Sequence, residues 1–314
     1  MEIYFNEKHN LLSVKTIPFR LEKDIQNLVE SNLQTLFKLE LVKSEFTIDK
    51  YRLDTLCFDM ESKSFVIIEY KKDKNYSVID QGFSYLSTVL ENKGELILEY
   101  QEKLNTRVRK DGIDWSQIRI IFISPSFSQY QKDSINFKDL PIELYEIKQY
   151  ENDIVTLNRI QSKSSSTSIN ELSDGGVIGK VKKEVKVYNE SDLLNKCNEE
   201  TLELWSKLQN RTDDLDDINY VPRKHYIGIR KNNTTVTYVH FYKTKLLLHI
   251  IRGNIYKGKK SKGFFTFDDP KNISKSGDHN FKDGTVRKYY EIVINKSDDI
   301  DYVMMLIKQK YNIL

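Results

Sequence analysis

An uninterrupted apolar run in the first half of the chain, Phe65-Val-Ile-Ile, leads into Glu69-Tyr-Lys71. It is β-branched and aromatic throughout and predicts a buried strand over 64–71. A second such run, residues 52–58, precedes it. Between them lie Asp59-Met-Glu-Ser-Lys63, polar enough and short enough for a hairpin turn. Upstream, Leu21, Ile25, Leu28, Val29, Leu33, Leu36 and Phe37 recur at helical spacing and predict one amphipathic helix over 21–37. The pattern continues with a strand at 45–48, a helix at 76–91, a strand at 118–124, a further helix and a strand at 142–148. This order predicts an α/β domain over 1–160 with a central sheet flanked by helices.

Residues 161–176 break the periodicity with a serine-rich, glycine-terminated stretch, which reads as a linker or exposed loop. Lys180-Val-Lys-Lys-Glu-Val-Lys186 alternates enough for a short strand, and its simpler reading is a solubilising tether, so the linker is set at 161–187. From about 188 a second, smaller α+β domain is expected to run to 314. It opens with a helix over 191–208, continues with strands at 225–230, 234–242, 245–251 and 288–294, and closes with a helix at 298–311.

Charge placed inside this apolar pattern carries the chemistry. Asp54 stands in one strand, and Glu69 and Lys71 lie two residues apart in the next, on one face and roughly 7 Å apart along the strand. A hairpin closing at 59–63 brings Asp54 toward Glu69. Two neighbouring carboxylates repel, and one takes up a proton unless a cation intervenes. Mg²⁺ or Mn²⁺ is the expected cofactor, since it prefers such oxygen ligands. Lys71 beside it orients a water or stabilises charge on a phosphate. The competing explanation for any isolated Glu-x-Lys is a surface ion pair. On the predicted helix, wheel geometry puts Glu22 inside the apolar stripe and Glu30 at its edge, although an acid in a first turn also favours the helix dipole. Gln81 and Tyr85 share a helix face just after the second strand.

These residues resemble the active site of the PD-(D/E)xK nuclease superfamily, and the order of elements over roughly 15–160 is similar to its restriction-endonuclease-like core. The stretches Val66–Asp73 and Ile120–Phe127 resemble chains related to archaeal NucS-type endonucleases and to restriction-enzyme nuclease domains. The resemblance implies metal binding by Asp54 and Glu69, with the Tyr70 carbonyl as an extra ligand and Glu22 completing the shell, Glu30 in reserve. It implies that Lys71 positions the nucleophilic water. Gln81 and Tyr85 match a Gln-x-x-x-Tyr pair of the RecB-like branch, which braces the site or touches nucleic acid. Arg52-Leu53 stand before Asp54 where the superfamily signature has a proline, which leaves the acid in place. The implied activity is hydrolysis of DNA, with RNA as the other substrate and a homodimer as an arrangement seen by analogy. The alternative is a nucleic-acid-binding or assembly module that keeps the fold without turnover.

Composition narrows this. A formal charge of +3 over 314 residues excludes a uniformly basic nucleic-acid coat, so DNA would need local patches. Lys72 and Lys74 beside the triad are such candidates, and Arg107–Lys110 reads better as an ordinary loop. Cys57 and Cys197 lack metal-ligand spacing and suit free thiols in a reducing cytosol. No apolar leader follows Met1 and no run approaches a membrane span, so a cytoplasmic protein with no membrane partner is expected. No His-Glu-x-x-His array or Gly-x-Ser-x-Gly elbow occurs, and Gly175–Val181 lacks the spacing and the hydroxyl of a phosphate loop.

The second domain offers Arg223, Lys224, His225, Tyr226, Arg230, Tyr238, Tyr242 and Lys243. Interleaved cations and aromatics suit phosphate contact with base stacking, and equally an ordinary half-exposed sheet. Arg223 and Lys224 are its nucleic-acid candidates, with dimerisation the other role. The segments 220–229 and 243–249 resemble an uncharacterised domain that recurs behind nuclease-like domains in chains labelled "predicted transport protein". Nothing in this sequence supports transport.

Overall fold

The computed structural model describes residues 2–72, 77–104, 112–135, 140–160, 176–232, 234–261, 263–280 and 285–314. The chain divides into two compact units, Met1–Val187 and Tyr188–Leu314. Lys74, Arg107–Lys110 and residues 161–175 of the expected linker lie outside the described residues.

The first unit begins with a hairpin, β1 (Tyr4–Glu7) and β2 (Asn10–Ser13), and a short β3 (Thr16–Ile17). Then come α1 (Glu22–Glu30), α2 (Leu33–Leu36), β4 (Glu40–Ile48), β5 (Tyr51–Asp59), β6 (Ser64–Tyr70), α3 (Val78–Glu91) and α4 (Lys93–Leu104). The remaining elements are β7 (Arg119–Ser124), α5 (Gln129–Ser134), β8 (Ile142–Tyr150), β9 (Val155–Ile160) and α6 (Gly176–Glu184). Seven strands form one mixed sheet in the order β3-β8-β7-β6-β5-β4, with β9 also paired to β8. β6, β7 and β8 run parallel, while β4, β5 and β6 form an antiparallel meander.

The sheet is flanked by helices because β6 is apolar on both faces. Phe65 and Ile67 pack with Phe83, Leu86 and Val89 of α3, Leu96 and Tyr100 of α4, and Val181 of α6. Val66, Ile68 and Tyr70 pack with Ile25 and Val29 of α1 and Leu33 of α2. Gly82 is what lets α3 lie close to the sheet. A Cβ there would stand 2.6 Å from Ile142 Cδ1 and 3.4 Å from Ile120 Cγ2.

Two expectations for this unit need correction. The single helix over 21–37 is two, broken at Ser31-Asn32, where the Asn32 side chain donates to the Leu28 carbonyl and competes with the helical ladder. The Lys180–Lys186 stretch is neither strand nor tether. It enters α6, whose Val181 joins the core, and the Lys186 N–H donates to the Ser116 carbonyl. The alternation of valines read as strand is here one apolar stripe of a helix, and the first unit extends to Val187 instead of ending at 160.

In the second unit α7 (Glu190–Leu194) and α8 (Glu199–Asp213) replace the one helix expected over 191–208. Asn198 caps α8 by accepting from the Thr201 N–H, which ends the continuous pattern there. An antiparallel sheet follows: β10 (Ile218–Pro222), β11 (Ile227–Lys231), β12 (Thr234–Tyr242), β13 (Lys245–Tyr256), β14 (Lys259–Lys260), β15 (Lys275–Asn280) and β16 (Val286–Ile294). α8 and α9 (Ile300–Tyr311) bury Leu204, Trp205, Leu208, Val303 and Ile307 against one face of it. Among the described residues no helix is long and apolar enough to cross a membrane.

Candidate active site

The antiparallel ladder of β5 and β6 runs from Asp59↔Ser64 to Thr55↔Ile68 and stops there. The next pair in register is Asp54 opposite Glu69. Beyond Thr55 the two strands exchange side chains instead of backbone bonds. The Asp54 N–H donates to Glu69 Oε1 at 3.0 Å, and the Tyr70 N–H donates to Asp54 Oδ2 at 3.0 Å. β6 meanwhile stays paired to β7, through Tyr70↔Ile123 and a bond from the Lys71 N–H to the Ile123 carbonyl. One strand edge is thus released while the other is held, and the two carboxylates cap the opening.

The backbone is strained beside this point. Glu45 of β4 lies between Ser44↔Thr55 and Phe46↔Leu53, across from Asp54, with φ +52°. A left-handed non-glycine residue inside a strand costs on the order of 1 kcal/mol. Lys23 at 2.5 Å and Arg52 at 3.8 Å hold its side chain.

Glu69 is 1% exposed. Burial, and after it the Asp54 charge, push its carboxyl up to about 8, against the lowering effect of the Asp54 N–H and Lys71. Burial also raises Asp54, with the Glu22 charge adding to the rise, while the Tyr70 N–H and Lys71 oppose it. Lys71 Nζ lies 3.4 Å from Glu69 Oε2. Gln81 Nε2 approaches the same oxygen at 3.4 Å and donates to Tyr85 Oη at 2.9 Å. Burial, then the Glu69 charge, push the Tyr85 hydroxyl up to about 12, so it stays neutral.

The structure therefore brings together Asp54, Glu69, Lys71, Gln81 and Tyr85. Glu22 is exposed in the first turn of α1, with its charge still acting on Asp54. Its Oε1 accepts from the Lys72 N–H at 2.8 Å, and among the described residues no three His, Cys, Asp or Glu side chains cluster as a metal-ligand set. Glu22 shares the stripe of Ile25, Gln26 and Val29, but as the first residue of α1 it stands beyond the buried part of that stripe. The Tyr70 backbone, whose carbonyl is the expected ligand, stays beside the pair through its N–H to Asp54 Oδ2, while its ring turns to the other face, where burial raises its hydroxyl and Thr55 Oγ1 lies 3.1 Å away. Lys72 Nζ donates to the Arg20 carbonyl at 2.8 Å. Arg223 and Lys224 lie in the turn between β10 and β11 of the second unit.

Sequence reasoning missed Gln26. It is 5% exposed, and its Nε2 donates to the Asp54 carbonyl at 2.9 Å, to Glu30 Oε1 at 3.0 Å and to Ser44 Oγ at 3.2 Å. Thr55 Oγ1 donates to the same Glu30 oxygen at 2.6 Å. Glu30, held in reserve as a ligand, belongs to this buttress behind Asp54. The spacing Glu22, Gln26, Glu30 at successive helical turns was the available signal.

Glu69, raised by burial and the Asp54 charge, and Asp54, raised by burial and the Glu22 charge, fit one hydrated divalent cation better than a closed protein cage. Each uses one oxygen for a facing N–H; of the other two, Glu69 Oε2 also faces Lys71 Nζ and Gln81 Nε2, each at 3.4 Å. Gln81 Oε1 is buried without a hydrogen-bond partner, an acceptor suited to such an ion's water.

Comparison with known proteins adds a family. An uncharacterized protein of Haemophilus influenzae is 39% identical over 312 residues, spanning 98% of this chain and 99% of that one. No family model matches. A repair endonuclease from Pyrococcus abyssi superposes with TM-score 0.26 at 18% identity, over 38% of this chain and 45% of its own. Pyrococcus furiosus SfsA in complex with Ca²⁺ does so with TM-score 0.23 at 13% identity, over 50% and 68%. Structural likenesses of that size carry no weight for this chain. It belongs to the family of the Haemophilus influenzae protein.

Proposed function

We propose that this chain is a metal-dependent nuclease with a restriction-endonuclease-like catalytic unit, hydrolysing phosphodiester bonds in DNA at Asp54, Glu69 and Lys71. The observation that supports the reading is the meeting of buried Glu69, half-buried Asp54 and a lysine where β5 leaves β6. Asp54 and Glu69 would hold Mg²⁺ or Mn²⁺. The ion, when bound, supplies positive charge that offsets the charge of a phosphate.

The chain's own groups do the rest. Lys71 presents its ammonium beside Glu69 Oε2, where it orients the attacking water and faces the negative charge that grows on the phosphate. Glu69, ionised once its proton is displaced, is the neighbouring acceptor for the water's proton. Gln81 and Tyr85 hold Glu69 Oε2 in place from α3. Gln26 fixes the Asp54 backbone from the opposite face of the sheet. The water oxygen forms the new bond to phosphorus, the bond to the leaving ester oxygen breaks, and that oxygen takes a proton from solvent and departs as an alcohol.

The test is cleavage of supercoiled plasmid and of single-stranded and flapped oligonucleotides, DNA and RNA, with Mg²⁺ or Mn²⁺. Wild type cuts only with metal, and Lys71→Ala and Asp54→Ala do not cut. Failure of the wild type on every substrate overturns the reading in favour of a non-catalytic module.

A further inference from the structure

In the second unit's sheet, directly paired residues share a face. The row Ile227–Val239–Leu248–Ile292 points to α8 and α9 and is fully buried. The alternate rows face away from those helices. They carry Tyr238, His249 and Glu291 in one line, and His240, Leu247 and Val293 in the next.

Rings run along this outward face in contact. Tyr226 lies 4.8 Å from Tyr238 and 5.5 Å from His240, His240 lies 4.5 Å from His249, and His249 lies 4.4 Å from Tyr289 at an interplanar angle of 33°. Tyr289 rests flat on the strand beside it. A Cβ on Gly277 would meet its ring at 2.3 Å, so only glycine leaves the bed that the ring occupies. Burial, and then the neighbouring His249, keep His240 neutral down to about 4, so at neutral pH it is a ring and not a charge.

The charges on the face are one-sided. Arg230, Lys245, Arg287 and Lys275 stand in its rows, and Glu291 is the one carboxylate among the paired outward positions described. A solvated sheet face normally mixes both signs, and the whole chain carries only +3. Half-exposed rings between cations supply stacking surfaces and phosphate contacts together.

We propose that this outward sheet face is a platform for single-stranded nucleic acid, with bases stacking on the tyrosines and the phosphates meeting Arg230, Lys245, Lys275 and Arg287. A duplex cannot offer unstacked bases to the rings, which is why the single strand is the occupant. The proposal does not depend on catalysis in the first unit.

The experiment is fluorescence anisotropy of the full-length chain, in EDTA so that no cleavage occurs, with labelled oligo-deoxythymidine, oligouridine and a duplex of matched length. Binding of a single strand in preference to duplex is expected, and the two single-stranded arms separate DNA from RNA. Tyr238→Leu and Tyr289→Leu should each weaken it roughly 5-fold or more. Lys245→Glu, at the start of β13, should weaken it and reduce the salt slope by about 0.7. It serves where a tyrosine variant fails to fold as wild type by circular dichroism. Duplex preference, no binding, or unchanged affinity in folded variants would overturn the platform while leaving the plasmid-cleavage result untouched.

Discussion

Replacing Glu69 by glutamine should remove a pH-dependent weakness from the metal-free protein. The carboxyl sits at about 8 in the folded chain against an ordinary 4.5. Between those values the native state holds one more proton than the unfolded state. Stability therefore falls as pH rises through the window, by about 1.4 kcal/mol per unit. From pH 5.5 to 7.5 the loss comes to about 2–3 kcal/mol. Glu69 is almost fully buried, so solvent screening takes little from this figure. Other groups titrate nearby, His240 and His249 among them, but they cancel in the difference between wild type and Glu69→Gln. Urea unfolding of both proteins in EDTA at the two pH values gives that difference. Glutamine keeps the shape without the charge, so the variant should gain on wild type by about 2–3 kcal/mol across the interval. A difference that stays constant with pH would refute the burial and repulsion assigned to this pair.

Gln26→Ala should cost about 2–3 kcal/mol in urea unfolding, since it strips donors from half-buried Glu30 and the Asp54 carbonyl. If it acts on the site as a positioning residue, it should lower kcat in the plasmid assay with little change in KM, and Gln26→Asn should not restore it. Gly82→Val should destabilise by roughly 2–3 kcal/mol in the same unfolding assay, because its first carbon already meets Ile142. His240 is depressed from 6.5 to about 4, so its contribution is complete above pH 6.5 and fades as pH falls toward 4. His240→Phe should flatten that acid limb in unfolding curves.

Much of the first unit was legible because its strands are buried on both faces. Residues 64–71 and 118–124 are nearly continuous apolar runs, and such runs leave few alternatives. The carboxylate pair was legible for the same reason, since an acid inside an apolar strand demands a partner. Other features depended on contacts that periodicity does not encode. Asn32 broke a helix by a single side-chain bond, and Asn198 did the same by capping α8. Gln26 was overlooked because apolar periodicity does not single out a polar side chain on the buried face of α1. β9 is half-exposed and weakly patterned, and its place is set by pairing with β8. α6 was hidden by lysines that suggested a tether, although Val181, with Ile178 beside it, anchors it in the core.

The most direct test of the carboxylate pair is a calorimetric titration of Mn²⁺ into the metal-free protein at pH 7, repeated in buffers of different ionisation enthalpy. With Glu69 at about 8, roughly nine-tenths of a proton should leave for each ion bound. Both the binding and the proton release should vanish in Asp54→Asn. The contrary result is an absence of saturable binding, or binding that releases no proton and survives that substitution, and it would mean that Asp54 and Glu69 do not form a metal site.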